Sequence, residues 1–398
     1  MNGSKPDPFR QAQLQGFRSC SARAVYCCRA RPAAAESSLS FRLFFSAAGN
    51  SEIVSTSLDM KKALPFAHYR AAALDLAFER CVKIKRRWSR AVVAILFSLE
   101  SAAAGIDRYS SLIVADPPNQ RLKPASVRVT YLGTNGYQLE ANGHALWVDP
   151  YFTRISLTRA AFNFPIGPNP QRIDEALAHL NGKPDAILVT HGHFDHLLDA
   201  SVLITRSKAR LVGSATAVNL AMRAGVPKNR CEPVKRGDAT RIGPWRITAL
   251  PASHDRLLFM GVPFNRQISG TAPPRRPADW VCGEPLSYLV VANGFRIFID
   301  SGGTPAVLPP SNIGSVDLAI LGMALPDSRA RFAATVMRLR PRYVLPSHQD
   351  NFFLPLGRGF RFAPLTDFPF VRREHQNRRL PGELILVDYF RPWTIPPG

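Results

Sequence analysis

The run His191-Gly192-His193-Phe194-Asp195-His196 places three imidazoles and a carboxylate within six positions, directly after the mainly apolar segment Ala186–Thr190. A short apolar run of that kind reads as a strand. The cluster therefore lies at a strand's C-terminal end, on the loop into the next helix. Four such groups cannot all enter an apolar core without a large desolvation cost. Imidazole nitrogen and carboxylate oxygen are suitable zinc ligands, and a coordination position left open separates a catalytic site from a structural one. The spacing points to metal binding.

The surrounding texture is that of packed sheets covered by helices. From about Ser126 the chain alternates short strand-like runs with turn signals: Val127–Tyr131, Tyr137–Ala141 and Ala145–Val148, then Arg210–Gly213, Arg246–Leu250, Ser287–Val291, Phe295–Ile299, Leu318–Leu321 and Tyr343–Leu345. Asn142-Gly143 and Asn293-Gly294 are hairpin signals of the two-residue kind. Leu197–Arg206, Ala215–Ala224 and Asp327–Arg338 read as helices. Strands in hairpins with helices between them predict an α+β fold. The long connection Asp255–Gly283, with four prolines, reads as a surface loop of the length that is usually functional.

Five short motifs, each at a strand end, resemble those of the metallo-β-lactamase superfamily, and the resemblance runs through residues 126–398. They are Asp149 in Leu146-Trp147-Val148-Asp149-Pro150, the His191–His196 cluster, His254 in Pro251-Ala252-Ser253-His254, Asp300 in Ile299-Asp300-Ser301-Gly302, and His348 in Leu345-Pro346-Ser347-His348. The resemblance implies a four-layer αβ/βα sandwich, two mixed sheets flanked by helices. It implies one zinc on His191, His193 and His254 and a second on Asp195, His196 and His348, with Asp300 bridging them; Mn2+ or Fe2+ are the alternatives. Asp149 would orient a ligand imidazole. Asp195, Asp300 and Asp149 are the expected catalytic carboxylates, serving a metal-bridging hydroxide that cleaves a phosphodiester, ester or lactone. Asp300 stands where the main zinc β-lactamases carry Cys, which disfavours antibiotic hydrolysis. Tyr131-Leu132-Gly133-Thr134-Asn135-Gly136 and Ser347-His348-Gln349-Asp350-Asn351-Phe352 are more similar to the branch of ascorbate 6-phosphate lactonases and the phospholipase D acting on N-acyl phosphatidylethanolamines.

Residues 1–81 show no sustained period and are read as disordered, with short helices such as Tyr69–Val82 as the alternative. Residues 82–125 contain the basic run Lys83–Arg90, the apolar run Ala91–Leu99 and the small residues Ser101–Gly105. That order is the order of a secretory signal peptide, although it lies far from the N-terminus. It gives the expectation of export or membrane association if the segment acts as a signal, with translation starting near Met60 or Val82, and of a cytoplasmic protein otherwise. No Cys-x-x-Cys pair occurs among the six cysteines, so neither a zinc ribbon nor a redox dithiol is written here.

The net charge of +22 divides as +10 over residues 1–125 and +12 over the rest. A positive field favours anionic partners. The loops Phe152–Pro165, Asp255–Gly283 and Asn351–Phe370 combine phenylalanines with arginines, which suits a small anionic or lipid-like substrate and a membrane surface. Two other classes are weighed: a metal-dependent nuclease, for which no extra RNA-binding arm is visible, and a non-hydrolytic metal module, for which no fused redox domain is visible.

Overall fold

The computed structural model describes residues 105–257, 261–268 and 270–398, together with the backbone of 38–47 and 50–59. The chain divides into two compact units, Met1–Arg90 and Ala91–Gly398. In the first, Ser38–Ala47 (β1) pairs antiparallel with Asn50–Asp59 (β2). No strand was expected there, because the alternation of Leu39, Phe41 and Leu43 with Ser38, Ser40 and Arg42 is one short run that breaks at Phe44. The Tyr69–Val82 helix and the basic and apolar runs of the signal-like stretch lie outside the described residues. No described helix is long and apolar enough to cross a membrane.

The second unit holds two seven-stranded sheets. The first sheet comprises Arg128–Gly133 (β3), Gly136–Ala141 (β4), His144–Val148 (β5), Ala186–Leu188 (β6), Arg210–Gly213 (β7) and Cys231–Pro233 (β8), with Trp393–Thr394 (β16) beside β3. The second comprises Ala239–Ile242 (β9), Trp245–Pro251 (β10), Leu286–Ala292 (β11), Phe295–Asp300 (β12), Leu318–Gly322 (β13), Tyr343–Ser347 (β14) and Glu383–Leu384 (β15). Both sheets are mixed: β3 to β5 and β9 to β12 are antiparallel, and β5 to β8 and β12 to β15 are parallel. The hairpin turns fall where Asn-Gly marks them. Asn142 and Gly143 have φ of 51° and 79°, and Asn293 and Gly294 have 51° and 84°. Two consecutive positive φ values are what a type I′ turn requires, and they match the twist of the flanking strands.

Parallel neighbours need crossovers, which the helices supply. Leu157–Ala161 (α1) and Pro170–Leu177 (α2) lie between β5 and β6, and Phe194–Leu197 (α3) and Ala200–Thr205 (α4) between β6 and β7. Ala215–Arg223 (α5) precedes β8, Pro326–Leu339 (α6) joins β13 to β14, and Phe368–Asn377 (α7) joins β14 to β15. The inner faces of the sheets meet through Val129, Leu139, Leu146 and Leu188 against Ile247, Tyr288, Val290 and Ile299, and Phe332, Val336 and Leu339 of α6 join the same core. On the outside of the first sheet Trp147, Ile187, Val189 and Leu211 pack on Ile173, Leu197, Leu203 and Leu220. Two mixed sheets flanked by helices make this an α+β sandwich. The segment after Gly105, read as a linker, packs on it: Ile106 is buried, and the Asp116 carboxylate accepts from Thr394 N (2.8 Å) and Thr394 Oγ1 (2.7 Å).

Ile320, on central strand β13, is fully buried. Ile320→Ala is expected to lower the unfolding free energy by about 2–5 kcal/mol, measured by chemical denaturation followed by tryptophan fluorescence. A change below about 0.5 kcal/mol, the size typical of a surface position, would contradict this packing.

Candidate metal centre

Five strand ends deliver the candidate residues. Asp149 follows β5, Thr190 to His196 follow β6, His254 follows β10, Asp300 ends β12 and His348 follows β14. Six of these side chains form two groups of ligand atoms, each group within 4.8 Å: His191, His193 and His254, and Asp195, His196 and His348. All are buried except His254, which is partly buried. The groups adjoin, since the rings of His191 and His196 are 4.0 Å apart.

The hydrogen bonds on the far side of His191, His193, His254 and His196 fix their tautomers, whereas His348 Nδ1 is buried without a partner. A carbonyl oxygen only accepts, so His193 Nε2 donates to Pro263 O (2.9 Å) and His254 Nδ1 donates to Asp255 O (2.7 Å). The Thr190 hydroxyl donates to the Asp149 carboxylate (2.6 Å), which leaves its oxygen to accept from His191 Nδ1 (3.1 Å). Three lone pairs then converge: His191 Nε2, His193 Nδ1 and His254 Nε2, the first two 2.9 Å apart. In the second group His196 Nδ1 donates to Asp149 Oδ2 (2.8 Å), and Asp195 Oδ2 faces His196 Nε2 at 3.5 Å and His348 Nε2 at 3.4 Å. His196 Nε2 is buried without a hydrogen-bond partner. Converging lone pairs and an orphaned buried nitrogen fit a cation in each group, and the N and O donors suit zinc, manganese or iron.

In the first group the electrostatics agree. Burial, reinforced by the neighbouring imidazoles, holds His191 and His193 well below the ordinary histidine range. Burial is also the main cause that lowers His254 to about 4. These rings are neutral at pH 7, the form that binds metal. For His196 burial opposes the charge, but Asp149 and Asp195 overcome it and raise it to about 10. Burial works against ionisation of Asp195 as well, yet His196 and His348 hold it well below the usual carboxylate range.

Asp149 stands where a ligand-orienting carboxylate was expected. It also accepts from Thr190 N (2.8 Å) and Asn135 Nδ2 (3.0 Å). Asp300, expected to bridge the two ions, lies in neither group of converging ligand atoms. Its Oδ1 accepts from Gly302 N (3.1 Å) and Gly322 N (3.3 Å), and its Oδ2 is paired with Arg331. The reason is the buried guanidinium, which needs a counter-charge.

A family model described as a β-lactamase superfamily domain matches residues 146–340. The domain belongs to the metallo-β-lactamase superfamily of metal-dependent hydrolases. The match spans Asp149, the histidine cluster, His254 and Asp300. Among similar proteins, a UPF0173 metal-dependent hydrolase of Pyrobaculum arsenaticum is 25% identical over 230 residues, covering 57% of this chain and 85% of its own. Another, from Rubrobacter xylanophilus, is 27% identical over 236 residues, covering 57% and 84%. A metallo hydrolase structure from Ignicoccus hospitalis aligns with 69% of this chain and 100% of its own, at 15% identity and a TM-score of 0.46.

Several residues that shape this hydrolase centre have roles that the motifs do not reveal. Thr190 is legible only as the residue before His191. Asn135 and Ser347, joined at 2.8 Å, tie the β3–β4 turn to the end of β14. Pro263 and Asp255 act through backbone carbonyls, which side-chain identity does not reveal. Arg331, a cation on a helix rich in arginine, reads as a surface residue until its burial is seen.

Thr190→Val removes the hydroxyl that links Asp149 to His191 and keeps the side-chain shape. Partners of this kind are worth about 10–100-fold in metal affinity, and a loss of that order is expected in zinc competition with a chromophoric chelator. Unchanged affinity would remove Thr190 from the centre.

Proposed function

We propose that the domain is a dinuclear zinc hydrolase that cleaves a phosphodiester, ester or lactone in an anionic, lipid-like substrate. The observation that carries the reading is the pair of adjoining ligand groups, each with three donors whose ligand atoms converge. Two bound ions would supply Lewis-acid polarisation of the substrate and lower the pKa of the water they bind. The residues would then have distinct tasks. Asp195 stays ionised and serves the second ion with His196 and His348. Asp149 and Thr190 hold His196 and His191 in the tautomers that present Nε2. The carbonyls of Pro263 and Asp255 do the same for His193 and His254.

Aromatic and basic residues of the loops support the substrate class. Phe264 lies edge-on to His193 with centroids 5.9 Å apart, and Phe352 edge-on to His348 at 5.3 Å. Phe162 and Phe164 are exposed and stack at 5.9 Å. Around them Arg159, Arg275 and Arg276 are exposed; the guanidinium of Arg276 donates to Asn163 O (2.7 Å) and that of Arg159 to Pro165 O (2.7 Å). Apolar rings with cations beside them suit an acyl chain attached to a phosphate or carboxylate, and a membrane surface that presents it. Phe360, Phe362 and Phe368 have a different job, since all three are buried in the core. These features favour the lactonase and phospholipase D branch over a nuclease.

The test is zinc-loaded protein assayed against bis-p-nitrophenyl phosphate, aliphatic lactones, N-acyl phosphatidylethanolamine in mixed micelles and single-stranded RNA. Turnover of one of the first three is expected, together with about two zinc ions per chain by elemental analysis. His193→Ala is expected to abolish it with the circular dichroism spectrum preserved. Full activity in His193→Ala, or cleavage of RNA alone, would overturn the proposal.

A further inference from the structure

Asp300 and Arg331 form a buried pair beside the centre, only 1% and 3% exposed respectively. The guanidinium is anchored independently of Asp300. Its Nη2 donates to Gly302 O (2.9 Å) and its Nη1 to Val307 O (2.8 Å). The turn after β12 is closely packed: Gly302 and Gly303 have φ of 113° and 146°, and a Cβ on Gly303 would lie 2.5 Å from Ser253 Oγ and 3.1 Å from Arg331 Nη1. One helical turn earlier on α6, Ser328 donates to the Asp255 carboxylate from its amide (2.6 Å) and its hydroxyl (2.5 Å). One face of α6 is thus fastened to the loop after His254 and to the end of β12. Arg331 is held where it is, and Asp300 is held to it.

We infer that Arg331 is a built-in competitor for Asp300: it keeps the carboxylate out of the centre, so that the two ions rest on six ligands and bind less tightly than they would with Asp300 between them. The inference rests on the dinuclear reading above. A carboxylate oxygen engaged by a fixed guanidinium is a poor metal donor, because the ion must displace one cation to gain the site. Asp300 Oδ1 is already taken by the amides of Gly302 and Gly322. The group of Asp195, His196 and His348 therefore has a single carboxylate and the group of His191, His193 and His254 has none, so both ions lack the anionic bridge. The fixed charge of Arg331 adds repulsion that is strong in a poorly solvated interior.

The experiment measures zinc stoichiometry and stepwise affinity by chelator competition on the full chain, for wild type, Asp300→Asn, Arg331→Met and Arg331→Lys. Wild type is expected to bind two ions. Asp300→Asn keeps both, with little change in either constant. Arg331→Met releases Asp300 and tightens zinc binding by about tenfold or more, whereas Arg331→Lys, which keeps the charge, stays nearer to wild type. Loss of one ion in Asp300→Asn overturns the inference, because Asp300 is then a ligand. So does unchanged or weakened zinc binding in Arg331→Met. If Arg331→Met does not fold, Asp300→Asn decides alone. Wild-type protein that takes up no zinc overturns the dinuclear reading and the inference with it. Wild type with two ions beside Asp300→Asn with one overturns only the inference.

Discussion

The carboxylate of Asp149 is fully buried, and four donors meet it: Asn135 Nδ2, the Thr190 amide, the Thr190 hydroxyl and His196 Nδ1. A buried carboxylate is costly unless it is satisfied by hydrogen bonds and charge. Meeting that need dictates the rest of the centre. Thr190 must spend its hydroxyl proton on Asp149, so it can only accept from His191. His196 must turn its Nδ1 proton inward, so its Nε2 faces outward. One interaction behind the ligands thereby sets which atoms of two of them are available. Asp149 itself has a φ of 40°, in the left-handed region that Asp tolerates better than most residues.

The fold supplies the convergence. Asp149 and the histidine cluster follow adjacent parallel strands of the first sheet, while His254, Asp300 and His348 come from the second. The sandwich core that holds the two sheets together is therefore also what holds the ligand groups in register. Close packing reaches into the cluster itself: a Cβ on Gly192 would sit 2.3 Å from the carbonyl oxygen of Val281. The residue between two ligands is glycine because the backbone of the loop between β10 and β11 passes directly against it.

Much of this was legible in the sequence, for physical reasons that differ from residue to residue. The Asn-Gly turns declared themselves because few other pairs tolerate two positive φ values. The histidine cluster declared itself because no apolar core can accept it. His254 and His348 were legible only through their order and strand-end placement. The helix read at Leu197–Arg206 is two short helices, Phe194–Leu197 and Ala200–Thr205. Asp199 at that break turns its carboxylate to the amides of Phe152 (2.6 Å) and Thr153 (2.8 Å), a long-range contact that no local pattern encodes. Asp300 is the instructive case. Its place in the motif order implied a bridging ligand, but its surroundings are decided by Arg331, 31 positions away on another element. Long-range charge pairing is invisible to periodicity and to motif spacing alike.

The central claim is that two cations occupy two defined sets of donors. Anomalous diffraction at the zinc edge from zinc-loaded crystals addresses it most directly. The account predicts two peaks, one enclosed by His191, His193 and His254 and the other by Asp195, His196 and His348. A single peak outside both sets, or none at all, would contradict it.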